Sequence, residues 1–236
     1  MQATTTNPHR VAAARLAHQI LTQPSPETNT LPSPTRRLQQ HLLYFDSGSR
    51  GNPGPGGSGS VIVHLGGHAV KPEIVWMASV SYAHRTTNNA AEYQGLLVGL
   101  RHAMLKQLHG LHVIGNSNLS IQQLQDRRFP RARHLQGIYT QCRLLADRLG
   151  IISWTHHLRD FNKMADELAN LAMDTKKSTQ VFEADLSNLP QAWTAVVGFL
   201  QRDVDNWIDI HPDQEDDGRT SNAEGVPYMC AHVLTN

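Results

Sequence analysis

Short apolar runs separated by turn residues fill the first part of the chain and predict three β-strands. The runs cover residues 42–45, 60–65 and 74–80, and each is bounded by Gly, Pro, Ser or Asn. We interpret the Gly, Pro and Ser cluster over residues 48–59 as a long turn between the first two strands. Three consecutive strands with short connections predict an antiparallel meander.

After the third strand the spacing of apolar residues lengthens to about 3.6, which predicts helices. Thr86 or Thr87 can cap a first helix whose apolar positions lie between 90 and 104. Further strands are predicted at 111–115 and 151–154, and further helices at 117–125, 136–149 and 162–173. The order predicts an α/β fold in which a mixed five-stranded sheet, three antiparallel strands and then parallel strands, is flanked by helices.

Both ends of the chain differ in composition from the predicted domain, which covers residues 41–177. Residues 23–36 contain prolines at 24, 26, 32 and 34 among Ser, Thr and Asn, which is typical of a linker, and we predict that residues 1–40 form a disordered basic leader. Its first 26 residues contain arginine and no acid, which suits either an organelle transit peptide or a leader without targeting function. Residues 178–236 are predicted to form an amphipathic segment and an acidic tail.

Charge and cysteine content limit the classes of protein to which this chain can belong. Residues 41–177 contain 15 Lys and Arg against 9 Asp and Glu, whereas the residues after 177 contain 2 and 10. A basic domain suits a polyanionic partner, and the acidic C-terminal segment can recruit a protein partner. The two cysteines exclude a disulfide framework and a cysteine-based zinc site, and they fit an intracellular protein of the nucleus, the cytosol or an organelle. The sequence excludes a membrane span, because it has no run of 18 apolar residues.

Four polar positions at the ends of predicted elements suit divalent metal ions. Asp46 ends the first strand, Glu92 lies in the first helix, Asn116 ends the fourth strand and Asp166 lies in the last helix. Because the first and fourth strands can be neighbours in a mixed sheet, all four side chains can face one point. Phosphodiester hydrolysis requires an acidified water and a stabilised leaving oxygen, and two Mg²⁺ ions held by carboxylates meet both requirements.

The combined motifs D-x-x-x-R-G-N-P-G from residue 46, T-N-N-x-x-E from residue 87 and N-x-x-A-D-x-L-A from residue 162 resemble ribonuclease H. The resemblance covers about residues 42–175 and is strongest to the type found in reverse transcriptases. It implies an RNase H-like fold and a nuclease that cuts the RNA strand of RNA/DNA hybrids with two Mg²⁺ ions, for which Mn²⁺ can substitute. The implied metal ligands are Asp46, Glu92, Asn116 and Asp166. His156 matches a histidine that assists proton transfer or product release, and His157 competes for this role.

The resemblance also implies contacts with the hybrid. Asn52, Asn88, Asn89 and Asn118 match positions that contact sugars and base edges, and their amides can both donate to and accept from a 2′-hydroxyl. Ser47 and Gly48 depart from the Asp-Gly order common at this point, and Ser47 places a side chain where backbone usually approaches the hybrid.

Residues 126–133, here called the arginine loop, replace a basic loop that some cellular members carry. The four arginines of this loop are predicted to bind DNA phosphates, and the alternative is a solvated turn without a ligand. They are Arg127, Arg128, Arg131 and Arg133. We interpret Lys163 as a surface residue.

Asn116 stands where the chemistry requires a carboxylate. The amide offers one neutral oxygen and can point a donor at the metals, so turnover should fall by orders of magnitude. Three explanations are open: deliberate replacement in an active nuclease, natural loss of catalysis, or compensation by another ligand. The leading hypothesis is a ribonuclease H impaired at Asn116. The alternatives are a non-catalytic module that binds hybrids or a partner, and a nuclease of the same fold that cuts duplex DNA or structured RNA.

Overall fold

The computed structural model describes residues 40–66 and 71–212, with only the backbone of residues 83–85. The predicted leader, apart from Gln40, and the acidic run at 213–217 lie outside the described residues. The strands are β1 (Gln40–Ser49), β2 (Gly54–Leu65), β3 (Glu73–Thr86), β4 (Leu111–Gly115), β5 (Ser153–His156) and β6 (Thr179–Phe182). The helices are α1 (Asn88–Leu105), α2 (Asn118–Gln125), α3 (Arg133–Leu149), α4 (Lys163–Thr175), α5 (Gln191–Gly198) and α6 (Leu200–Ile210). Short 3-10 helices, Arg159–Phe161 and Glu183–Asn188, precede α4 and α5.

One mixed sheet organises these elements in the order β5-β4-β1-β2-β3-β6. β1, β2 and β3 form the predicted antiparallel meander, and β4 and β5 continue the sheet in parallel from the other side of β1. The predicted mixed sheet flanked by helices is confirmed, with six strands instead of five. The sixth strand, β6, pairs antiparallel with β3. It has four residues of which one is buried, which is too short for alternation to reveal it.

The two faces of the sheet carry separate apolar layers. Alternate residues of β1 divide between them, with Leu43 and Phe45 facing α1 and α3 and with Leu42 and Tyr44 facing α4, α5 and α6. Position 46 continues the second series, which directs it toward α4. None of the described helices is long and apolar enough to cross a membrane.

The glycines of β2 bring α4 close to the sheet. The predicted turn over residues 48–59 is wrong in its second half, because Gly54–Leu65 is a strand. A Cβ added at Gly59 would stand 2.6 Å from the Cβ of Leu168 and would collide with the carbonyl oxygen of Ala165. A Cβ at Gly57 would stand 2.7 Å from that of Ala172. These glycines are therefore a packing surface for the helix that carries Asp166.

Packed structure continues past residue 177, where the sequence pattern placed the end of the domain. Trp193 and Val196 of α5 and Val204 and Trp207 of α6 are buried in the same apolar layer as α4. The amphipathic segment predicted within residues 178–236 contains two helices, and α5 ends at Gly198 just before α6 begins. The C-terminal helices therefore cover the face of the sheet toward which position 46 points.

Candidate active site

Asp46 and Asn116 lie side by side where the parallel pairing of β1 with β4 stops, although β1 runs on to Ser49 and does not end at Asp46 as predicted. The register pairs Phe45 of β1 with Gly115 of β4, so the next residue on each strand falls at the same edge of the sheet. The side-chain amide of Asn116 donates to Oδ2 of Asp46 at 2.8 Å, and the backbone N–H of Ser47 donates to its Oδ1 at 2.6 Å. Both oxygens of the buried Asp46 carboxylate therefore have a neutral donor.

Glu92 reaches the same edge of the sheet from α1. The helix begins after Thr87, whose hydroxyl accepts from the N–H of Ala90 at 3.2 Å. It lies close to the sheet at Gly95, where an added Cβ would be 2.9 Å from that of Ser58. Glu92 is buried, and its Oε2 has no hydrogen-bond partner among the described residues. This buried oxygen is left to an external donor or cation.

Burial disfavours the ionised forms of two carboxyl groups, those of Asp46 and Glu92. It raises the pKa of Asp46 to about 7, an effect that the N–H of Ser47 opposes and the charge of Asp166 reinforces. Burial, followed by the charge of Asp46, raises the pKa of Glu92 well above its ordinary value, while Ser47 acts in the opposite direction. Negative charges that repel one another in a water-poor setting are stabilised by a cation.

Asp166 has a different environment, because two cations face it. Nζ of Lys163 lies 3.0 Å from its Oδ2, and Nε of Arg159 lies 3.9 Å from its Oδ1. Lys163 is therefore a partner of the site and not the surface residue that the sequence suggested. Residues three apart on a helix face the same side, which explains the pairing. Asn162, just before α4, donates to the carbonyl of Phe45 at 2.9 Å and ties the helix start to β1.

We call Asp46, Glu92, Asn116 and Asp166 the strand-end site. Three carboxylates and an amide oxygen are hard ligands of the type that Mg²⁺ and Mn²⁺ prefer, and the unpartnered Oε2 of Glu92 fits a cation. Among the residues that the structure describes, no three His, Cys, Asp or Glu side chains stand in an arrangement that could hold a metal ion. Oδ2 of Asp46 accepts from the Asn116 amide and Oδ2 of Asp166 from the Lys163 ammonium, so a metal ion would have to displace these partners.

Comparison with known proteins identifies the family. A family model described as reverse transcriptase-like matches residues 44–172, more than half of the chain and all four residues of the strand-end site. The chain belongs to the ribonuclease H family. "Bifunctional protein Rv2228c" of Mycobacterium tuberculosis is 36% identical over 144 residues, 61% of this chain and 38% of the relative. "Ribonuclease HI" of Halobacterium salinarum is 34% identical over 131 residues, 56% of this chain and 63% of the relative.

A solved structure supports the same assignment. The N-terminal RNase H domain of Rv2228c, fused to maltose-binding protein, superposes with a TM-score of 0.52 and 34% identity. The match covers 58% of this chain and 95% of that chain. The chain spans about two fifths of the length of the mycobacterial relative and under two thirds of the length of the halobacterial one. Helices α5 and α6 lie beyond the residues that the family model matches.

The two candidate histidines of this ribonuclease H domain lie in opposite environments. His156 is exposed, and its Nε2 is 3.2 Å from the backbone carbonyl of Asn116. His157 is buried, with its Nδ1 3.0 Å from the carbonyl of Phe161. Burial lowers the pKa of His157, against the effect of its bond to Phe161. Of the two histidines, His156 is the one that borders the strand-end site.

The asparagines predicted to contact nucleic acid are all exposed, and we call these four residues the rim. Ser47 donates through its hydroxyl to the backbone carbonyl of Asn88 at 3.4 Å, and Ser49 donates to the side chain of Asn88. The backbone N–H of Asn88 is 3.4 Å from Oδ1 of Asn52. Asn89 is exposed beside Asn88, and Asn118 is exposed in the first turn of α2. Gly48 faces α4 instead, where an added Cβ would be 2.8 Å from Cε of Met173.

All four arginines of the arginine loop are exposed, and two of them form ion pairs with acidic residues. Arg127 binds Asp147 at 2.6 Å, and Arg128 binds Asp126. Arg131 and Arg133 form no ion pair with any described residue. Two of the four predicted phosphate contacts are therefore free of competing acids. The pairing of Arg127 could not be read from the sequence, since Asp147 is 20 residues away, whereas Asp126 lies only two residues before Arg128.

Proposed function

We propose that this ribonuclease H domain binds RNA/DNA hybrids at the strand-end site and hydrolyses their RNA strand with divalent metal ions, and that Asn116 impairs hydrolysis. The observation that carries the proposal is the 2.8 Å bond from the Asn116 amide to Oδ2 of Asp46. It sets a hydrogen-bond donor on Oδ2, the oxygen of Asp46 that the N–H of Ser47 leaves free for a cation. The rest of the site retains Glu92, Asp166 and His156.

The residues proposed to hold two Mg²⁺ ions are Asp46, Glu92 and Asp166, with the amide oxygen of Asn116 as a weak fourth ligand. Mn²⁺ is the proposed substitute. When bound, the ions supply an acidified water and stabilise the leaving oxygen. The chain contributes the carboxylates, of which those of Asp46 and Glu92 are buried. His156, exposed beside Asn116, is placed to move a proton or help to release product.

The impairment follows from charge and hydrogen bonding. Replacing an aspartate by asparagine removes one negative charge from a site that must neutralise two dications. The amide N–H₂ must also leave Asp46 before that carboxylate can bind metal through Oδ2. Both effects weaken metal binding without removing the surface that contacts the hybrid.

Hybrid binding is supported by the composition of the rim. The proposed contacts to sugars and base edges are Asn52, Asn88, Asn89 and Asn118, with Ser47 and Gly48 beside them. Their amides suit the 2′-hydroxyls in the shallow minor groove of a hybrid. Arg131 and Arg133 are proposed to contact phosphates of the DNA strand, with Arg127 and Arg128 available after release from exposed ion pairs, which are weak.

A second candidate function is hybrid or partner binding without catalysis. The same Asn116–Asp46 bond favours it, because the bond satisfies Asp46 without metal. A protein partner for the C-terminal segment belongs to this candidate.

Metal-dependent cleavage by the Asn116→Asp variant separates the two functions. A labelled RNA/DNA hybrid, duplex DNA and duplex RNA are each incubated with the unmutated chain, Asn116→Asp, and Asn116→Asp combined with Glu92→Gln, in Mg²⁺ or Mn²⁺. We expect Asn116→Asp alone to cut the RNA of the hybrid, at a rate roughly 100-fold or more above the unmutated chain. No cleavage by any of the three proteins, with hybrid binding intact, contradicts the catalytic proposal and supports the binding module. Equal cutting of duplex DNA or duplex RNA contradicts the proposed substrate.

A further inference from the structure

The first turn of α4, which carries Asp166, is capped from a distant part of the chain. A helix leaves its first N–H groups without partners inside the helix, and a side chain just before it usually accepts from them. Asn162 occupies that position but makes no capping bond within the described structure. The side-chain amide of Asn162 instead donates to the carbonyl oxygen of Phe45. The acceptor comes from α6, where Oδ2 of Asp203 receives the N–H of Met164 at 2.9 Å.

Asp203 is placed for this role by its burial and its backbone. The residue is fully buried, although it is an acid. Its carbonyl oxygen accepts from the hydroxyl of Tyr44 at 3.0 Å, and Tyr44 lies two residues before Asp46. Asp203 therefore joins β1, the strand that carries Asp46, to the start of α4, the helix that carries Asp166.

The neighbouring residue reinforces the same junction. The guanidinium of Arg202 lies 5.4 Å from the ring centre of Phe161, in the short 3-10 helix that leads into α4. Cations over aromatic rings at this distance are attracted to them. Helix α6 therefore contacts both the entry to α4 and its first turn.

We propose that Asp203 is a positioning residue: it fixes the first turn of α4 and thereby places Asp166, together with Lys163, at the strand-end site. The effect of this positioning on metal binding rests on the proposed function. The residues matched by the reverse transcriptase-like family end at 172, so the cap comes from outside the family-matched part of the chain. Residues that orient metal ligands commonly affect metal affinity by about 10- to 100-fold.

The structural part of the proposal is tested in the full chain by amide hydrogen exchange. Asp203→Ala removes the acceptor, Asp203→Asn keeps a carbonyl oxygen, and Asp209→Ala removes an exposed acid from the same helix as a control. We expect exchange at Met164 to be about 10- to 100-fold faster in Asp203→Ala than in Asp209→Ala, with Asp203→Asn close to the unmutated protein. Equal exchange in Asp203→Ala and Asp209→Ala overturns the proposal.

A measurement on the unmutated protein covers the case in which Asp203→Ala does not fold. A scalar coupling across the hydrogen bond, from the Met164 amide nitrogen to the Asp203 carboxyl carbon, is expected in a labelled sample. Its absence, with Met164 exchanging as fast as exposed amides, overturns the cap.

The functional part is tested by Mn²⁺ affinity in the Asn116→Asp background. We expect Asp203→Ala to weaken Mn²⁺ binding by about 10- to 100-fold and Asp203→Asn to restore most of it. In hybrid cleavage, the expected effect of Asp203→Ala is a lower kcat with an unchanged KM. Unchanged Mn²⁺ affinity despite faster exchange at Met164 overturns the role of Asp203 in placing Asp166. If Asn116→Asp itself binds no Mn²⁺, the proposed function fails, and the exchange experiment still decides whether Asp203 holds α4.

Discussion

The strand-end site and the arginine loop are both charged, but they differ in how their charges are held. At the strand-end site, Asp46 and Glu92 are buried, and their side chains are fixed by strand ends and a helix. In the arginine loop, all four arginines are exposed and two of them pair with nearby acids. The side chains of the first region have fixed partners inside the fold, whereas those of the second are open to solvent.

This difference teaches which changes should matter most. A buried charge interacts strongly with its neighbours and costs free energy when it has no partner, whereas water and salt weaken an exposed charge. Single substitutions at the strand-end site should therefore have large effects of either sign. Substitutions in the arginine loop should have small effects that add up and depend on salt.

Glu92→Gln is expected to have the largest effect and to act in opposite directions on activity and stability. In the Asn116→Asp background it should lower hybrid cleavage by roughly 100-fold or more, because a charged metal ligand is lost. It should raise the free energy of unfolding, at pH values above the ordinary pKa of glutamate, by more than the roughly 0.5 kcal/mol seen for surface changes, because burial opposes ionisation of Glu92 and glutamine does not ionise. Cleavage assays and urea titrations measure both. A variant that loses stability and keeps activity would contradict the description of Glu92.

Asp203→Asn is expected to change how stability depends on pH. Burial raises the pKa of Asp203 to about 6, against the N–H groups of Met164 and Lys163 and the charges of Arg202 and Lys163. Since the folded state holds this proton more tightly, the contribution of Asp203 to stability is complete below pH 4 and is lost as pH rises through 6. The asparagine does not titrate. The free energy of unfolding of the variant, relative to that of the unmutated protein, should therefore increase by on the order of 3 kcal/mol between pH 4 and pH 7.

Urea unfolding of both proteins at a series of pH values measures this gain. His102 and His112, whose pKa values burial lowers to about 4, destabilise both proteins on acidification. Their effect cancels in the difference between the two proteins. A difference that stays constant from pH 4 to pH 7 would show that Asp203 does not titrate in this range.

Gly59→Ala tests whether close packing of α4 supports the strand-end site. The added Cβ would collide with the Ala165 carbonyl, so α4 must move away from β2. We expect a loss of about 1–3 kcal/mol in the free energy of unfolding and weaker Mn²⁺ binding in the Asn116→Asp background. Gly137→Ala is the control, since a Cβ there meets no described atom within 4 Å and alanine favours the helix. Equal stability changes in the two variants would rule out the packing role.

Arg131→Ala with Arg133→Ala is expected to have the smallest effect. Each lost phosphate contact should reduce the slope of log affinity against log salt by about 1, with little change in preference between hybrids of different sequence. Arg148→Ala, an exposed arginine on α3 outside the loop, is the control and should leave the slope unchanged. Hybrid binding at several salt concentrations gives the slopes. Equal slopes for all variants would leave the loop as a solvated turn.

The sequence predicted most of the sheet because apolar spacing records burial on one side of an element. It missed β6, which has a single buried residue, and the glycine-rich start of β2, whose small residues serve the helix above it. The strand order also predicted that positions 46 and 116 would be neighbours, as the β1–β4 register confirms.

The partners of the site could not be predicted, because they depend on side-chain directions and on contacts distant in sequence. The bond from Asn116 to Asp46 spans 70 residues, and the cap from Asp203 to Met164 spans 39. The pairing of Lys163 with Asp166 could have been predicted, because Lys163 lies three residues before Asp166 on the same helix. Charge pairs at that spacing near a candidate ligand are a usable sequence signal.

Mn²⁺ binding to the nucleic-acid-free chain and to its Asn116→Asp variant, measured by calorimetry, tests the central claim most directly. The claim is that the amide of Asn116 occupies Asp46 and withholds it from metal. We expect the variant to bind at least roughly tenfold more tightly, because a fourth carboxylate replaces a hydrogen-bond donor. Equal affinities in the two proteins would contradict the claim and would place the cause of any impaired cleavage elsewhere in the chain.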